Sequence, residues 1–117
     1  MDRRIELVIS LLENDSSRAW DTHTLATLVN LSPSRFRHLF KHETGTSPRQ
    51  YLRELRLRKA EVLLATTFLS LKEIAEAIGI VSVSHLMKDF KERRGMTTRE
   101  YRIAARMAAP KAKSKKH

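Results

Sequence analysis

The stretch LATLVNL at residues 25–31 returns as IAEAIGI at residues 74–80, an offset of 49, and after one inserted residue the correspondence continues at an offset of 50. In that second register Phe40, Lys41, Gly45, Arg49 and Tyr51 meet Phe90, Lys91, Gly95, Arg99 and Tyr101. Within a chain of 117 residues, such a repeat means that one small supersecondary unit is built twice. Apolar residues recur at three- and four-residue intervals through most of the chain, which is the period of a helix with one buried stripe. Only three glycines and three prolines interrupt it, so each interruption is informative.

Those interruptions divide the chain into seven expected helices and no strand. The first covers about residues 3–13, with Ile5, Val8, Ile9 and Leu12 as its buried stripe. A polar loop then leads to a short helix, about 22–29, which Asp21 or Thr22 can cap. Ser32 before Pro33 is a start signal, because the hydroxyl accepts from an unpaired N–H and proline at the first helical position gives up no needed donor. Gly45 is placed to end that helix in a left-handed conformation. Ser47 and Pro48 repeat the start signal for a long helix to about residue 66, whose stripe runs through Tyr51, Leu52, Leu55, Ala60, Leu63 and Leu64. Ser70 with Glu73 and Thr97 with Glu100 have the spacing of capping boxes, so two further starts are specified.

The chain carries 23 Lys+Arg against 13 Asp+Glu, a formal charge of +10, and a surface of that sign attracts polyanions. Arg106, Lys111, Lys113, Lys115 and Lys116 supply half of that excess, so the preceding helical part is basic in its own right. Cysteine is absent, which excludes a disulfide framework and a thiolate metal site. The apolar run IELVISLL is broken by Glu6 and lacks a small-residue cleavage site, so it reads as a core helix and not an export signal. No apolar run has the length of a membrane span. His38 and His42 stand four apart but have no third ligand in view, and no catalytic constellation can be assembled; neither an enzyme nor a metal or cofactor is expected.

Each repeated unit is a short helix, a tight turn and a second helix with a polar or basic outer side, which is the helix-turn-helix arrangement for placing the second helix in a major groove. Asn30 and Gly79 suit the left-handed turn, and Ala26 and Ala75 are small where the two helices must approach closely. At 100° per residue, Ser34, Arg37, His38 and Lys41 share an arc opposite Phe36, Leu39 and Phe40. The repeat carries that arc to Ser84, Met87, Lys88 and Lys91. Arg37 and Lys88 suit guanine O6 and N7, whereas Met87 or Val83 suits a thymine methyl. Lys41 and Lys91 suit phosphates, and Arg35 and His85 lie at the flanks for either purpose. The 19 residues from Pro48 to Thr66 make a rigid connector of about 28 Å, to be compared with about 34 Å for one turn of DNA. Two unlike reading helices on one connector imply an asymmetric site read by a monomer.

The stretch from LATLVNLSPSRFRHLF through the connector LRLRKAEVLL to the ending at Gly95, Thr97, Tyr101 and Arg102 resembles the DNA-binding domain of the AraC/XylS transcriptional regulators, over about residues 22–102. The chain departs from that family at Ile80, where an aromatic residue is usual, at Leu86, where Phe is common, and at Thr98, where Pro is common. The resemblance implies an all-α, seven-helix, bilobed domain that binds asymmetric promoter sites, mostly to activate transcription through contact with RNA polymerase. Its expected parts are a domain over 1–107, with helix-turn-helix units at about 22–43 and 71–94 and a connector at about 48–66, followed by a basic disordered tail over 108–117. The length leaves no room for an effector-sensing domain, so the chain is expected in the single-domain, MarA-like branch, or else as the DNA-binding half of a longer regulator. A cytoplasmic, nucleoid-associated location follows from the same reading. The competing expectation, drawn from the basic tail, is a nonspecific DNA-coating protein of the nucleoid.

Overall fold

A computed structural model describes residues 1–108, so nearly all of the basic segment at 108–117 lies outside the described residues. Those residues form seven helices and no strand, as expected for the all-α class. They divide into two compact units, 1–58 and 59 onward, with one helix running through the division.

The first unit holds α1 (Arg3–Asn14), α2 (Thr22–Leu28), α3 (Pro33–Thr44) and the first half of α4 (Pro48–Thr66). Its starts are set by short oxygen-bearing side chains. The Asp21 carboxylate accepts from Thr24 N–H at 2.7 Å, the Ser32 hydroxyl from Arg35 N–H at 3.2 Å, and the Ser47 hydroxyl from Gln50 N–H at 3.1 Å. Each such cap contributes about 0.5–2 kcal/mol. Both α1 and α2 pack on α3, and Ile5, Val8, Leu12, Leu25, Phe36 and Phe40 close the core between them. Burying side chains of this size stabilises by about 1.5–3 kcal/mol each.

The second unit repeats the plan with the end of α4, then α5 (Leu71–Ile78), α6 (Val83–Arg94) and α7 (Thr98–Met107). Both anticipated capping boxes are present: Ser70 exchanges hydrogen bonds with Glu73, and Thr97 with Glu100. Helices α5 and α7 pack on α6 around Ile74, Ile78, Leu86 and Phe90. The three departures from the family pattern fit this core and its cap: Ile80, Leu86 and Thr98 are all buried.

The buried side of α4 departs from the single stripe expected. Leu52 is buried on one side near its start, but Leu57, Ala60 and Leu64 form the buried line further on, while Tyr51, Leu55 and Leu63 are only half-buried. At 100° per residue Leu57 and Leu64 lie about 120–140° around the helix from Leu52. The buried arc rotates along the helix, and a fixed-phase pattern therefore misses Leu57.

Candidate nucleic-acid interface

The two turns are built alike. In the first, Asn30 has φ 59°, Leu31 N–H donates to Ala26 C=O at 3.0 Å and Asn30 N–H to Thr27 C=O at 3.1 Å. In the second, Gly79 has φ 84°, Ile80 N–H donates to Ala75 C=O at 2.9 Å and Gly79 N–H to Glu76 C=O at 3.3 Å. This pair of bonds is the Schellman closure, which needs one left-handed residue and satisfies two carbonyls at the helix end. Val81, the residue inserted between the two registers, stands 91% exposed just before the Ser82 cap of α6.

Behind each second helix an aromatic pair fixes the rotation about its axis. The Tyr51 ring meets Phe40 edge-on at 5.5 Å, and Tyr101 meets Phe90 in the same way at 5.4 Å. Edge-to-face pairs of this kind contribute about 0.5–1.5 kcal/mol beyond area burial. With Phe36 and Phe40 inward on α3, the side chains of Ser34, Arg35, Arg37, His38 and Lys41 are exposed. With Leu86 and Phe90 inward on α6, Ser84, His85, Met87, Lys88 and Lys91 are exposed, and Val83 is half-buried.

The two faces differ in their electrostatics. On α6, His85 Nε2 lies 3.2 Å from Asp89 Oδ2, and Asp89 is almost wholly buried. The corresponding residues of α3 are Arg35 and Leu39, so the first face has no acid at that place. Lys91 reaches the Gly95 carbonyl at 3.5 Å. Its charge also helps lower the Glu100 carboxyl, after the larger effect of the backbone hydrogen bond from Thr97. The His85–Asp89 contact went unpredicted, although its four-residue spacing on a helix was visible.

Several other cations serve the framework. Arg56 donates to the carbonyls of Ser16 and Arg18 at 2.9 and 2.8 Å. Arg102 donates to those of Leu64 and Leu69 at 3.1 and 2.8 Å, and Arg106 to that of Thr67 while lying over the Phe68 ring. Arg94 pairs with Glu61 at 2.6 Å. These residues tie loops and helix ends together across 33 to 40 positions of sequence, so the net charge overstates what is available to a polyanion.

Alongside α3 lies an open cleft of about 440 Å³ lined by Arg4, Leu31, Ser34, Arg35, His38 and Leu39. Arg4 comes from α1, for which only a core role was expected. Its guanidinium is held by Asp2, whose carboxyl is lowered to about 2, chiefly by the side-chain hydrogen bond from Arg4. The other histidine of α3, His42, has Nδ1 3.5 Å from Glu43 Oε2.

A family profile described as a helix-turn-helix domain matches residues 25–104. The chain is 34% identical over 107 residues to the RCS-specific HTH-type transcriptional activator RclR of Escherichia coli (strain K12), covering 92% of this chain and 38% of that protein. It is 30% identical to a transcriptional regulator with an AraC-type DNA-binding domain from Chromobacterium violaceum, with a TM-score of 0.81 and coverage of 92% of this chain and 96% of that one. The DNA-binding domain of AdpA, solved in complex with a target DNA, superposes with a TM-score of 0.85 at 29% identity, covering 91% of this chain and 96% of that one. The chain spans only about a third of the length of the curated relatives it matches. Duplicated Schellman turns, matched aromatic braces and these likenesses lead to one conclusion: the chain belongs to the AraC family of helix-turn-helix DNA-binding proteins.

Proposed function

We propose that this chain is a sequence-specific transcription regulator, acting as an activator, that lays α3 and α6 into successive major-groove segments of one asymmetric duplex site. The observation that carries the reading is the pair of exposed faces at matched positions, Ser34, Arg37, His38 and Lys41 on one helix and Ser84, Met87, Lys88 and Lys91 on the other. Arg37 and Lys88 donate to guanine edges, Lys41 contacts phosphate, and Arg35 and His85 flank them. Lys91 is the second phosphate contact and has to give up its Gly95 carbonyl to make it. The 19-residue α4 is the connector, and a mismatch between its length and the groove repeat is met by bending the DNA, at about 1–6 kcal/mol. The protein binds as a monomer because the two units are unlike, and RNA polymerase is its partner in activation.

Selection from a random duplex library tests this. The expected result is an asymmetric motif in two parts about one helical turn apart, bound at least about 10³-fold more tightly than random DNA. Strong binding with no enriched motif would instead establish a nonspecific coat, since counterion release drives both modes and only the first reads bases. Transcription reconstituted with RNA polymerase on the selected site then distinguishes activation from repression.

A further inference from the structure

Arg4 lies outside both helix-turn-helix units, yet it lines the same cleft as Ser34, Arg35 and His38 of α3. Asp2 grips it along one edge, with Nε 3.2 Å from Oδ1 and Nη2 2.9 Å from Oδ2. Asp2 is itself held in place twice. Its backbone N–H donates to Glu43 Oε1, in the last turn of α3, at 2.7 Å, and its carboxylate caps α1 by accepting from Arg4 N–H at 2.8 Å. The ion pair is thus a fixed feature at the border of the exposed α3 face, and the Arg4 side chain remains 49% exposed.

A guanidinium has five N–H donors, and one carboxylate along the Nε–Nη2 edge leaves the Nη1 side to take another oxyanion. Leu31 and Leu39 give the cleft apolar walls, which strengthen a charged contact made between them. Resting on the DNA-binding reading above, we propose that Arg4 is a backbone-phosphate contact supplied by α1, and that Asp2 is a built-in competitor that restrains it. Because the pair is neutral as a whole, it adds little long-range attraction. It engages a phosphate only once α3 has seated. The arrangement holds down binding to polyanions in general more than binding to a duplex on which α3 fits.

A double-mutant cycle decides it. Arg4→Gln, Asp2→Asn and the double variant are titrated with the selected duplex at several salt concentrations, with thermal melts confirming that each is folded. Asn caps helices as well as Asp, so Asp2→Asn removes the charge and keeps the cap. Asp2→Asn is expected to tighten binding about threefold and to steepen the salt dependence by about 0.9 in log–log slope, the value for one more phosphate. Both gains should vanish when residue 4 is Gln. If Asp2→Asn tightens binding equally in both backgrounds, Asp2 merely repels DNA at a distance and the assignment is overturned. No change in either background overturns it too. Inorganic phosphate added at constant ionic strength separates the two sources of the oxyanion. A seat for duplex backbone leaves the affinity unchanged, whereas a loss seen only when Arg4 is present assigns the cleft to free phosphate and rejects this proposal. Failure of the unaltered protein to bind any duplex defeats the DNA-binding reading as well; duplex binding with a flat cycle defeats the Arg4 assignment alone.

Discussion

The two repeats share a backbone plan and differ in what they place on it. Around α3 the core stacks three rings, with Phe36 and Phe40 at 5.8 Å and Tyr51 edge-on to Phe40, and the outer face carries only cations and neutral polar groups at its reading positions. Around α6, Leu86 stands where Phe36 does, one aromatic pair remains, and the outer face mixes Val83 and Met87 with a His85–Asp89 pair and a Lys91 turned toward Gly95. Both helices still expose the same register positions. What the duplication preserved is the machinery that sets rotation, namely the Schellman turn, the Ser cap and the Tyr brace, while the exposed arc was left free to diverge. A reading helix has to be aimed the same way whatever it reads, so this is the division that a two-part interface requires.

The comparison can be broken most forcefully through the braces. Phe40→Ala and Phe90→Ala each remove a ring that is fully buried and should cost about 3–5 kcal/mol, measured by denaturant unfolding. Equal losses mean that the braces carry equal weight. A clearly smaller loss at Phe90 would show that the leaner second core relaxes around the cavity.

Next in size are the reading faces. Arg37→Ala should relax base preference at one position of the site by about 1–3 kcal/mol, and Met87→Ala should shift preference at a single thymine by less, both read by repeating the library selection. Lys41→Ala should weaken all sequences alike and flatten the salt dependence. If Arg37→Ala behaved in that uniform way, the division of α3 into base and phosphate contacts would be wrong.

The smallest effect concerns acid. Backbone hydrogen bonds from Ser70 and Thr97 hold the Glu73 and Glu100 carboxyls below their ordinary values. A carboxyl lowered in the folded state contributes stability that is complete above its unfolded value and is lost as pH falls through its folded one. Glu73→Gln with Glu100→Gln should therefore leave the caps in place and flatten the acid side of a plot of melting temperature against pH. An unaltered slope would place the acid sensitivity in the carboxylates of the first unit, Asp2 and Asp21, which are lowered as well.

Most of the fold was legible because its signals are local. Ser32–Pro33, the Ser70–Glu73 and Thr97–Glu100 boxes, and the left-handed Asn30 and Gly79 each act within five residues, so the sequence carries them without knowledge of any partner. The exposed arcs were legible for a related reason: once Phe36, Phe40, Leu86 and Phe90 turn inward, helical geometry alone dictates which residues face out. Leu57 was missed because α4 changes its buried side along its length. Arg4 was missed because nothing within its own helix distinguishes it from an ordinary solvated arginine.

The sequence by itself thus determined where helices begin and end, where the chain reverses, and which face of each second helix is exposed, since backbone sterics and nearest-turn hydrogen bonds settle these over a few residues. Only the tertiary structure decided which cations remain open to a polyanion and which are held. Arg56, Arg102 and Arg106 find their carbonyls, and Asp2 finds Glu43, 33 to 41 residues away. Periodicity carries no information over such a separation, and the fate of a charge depends on what folding brings beside it.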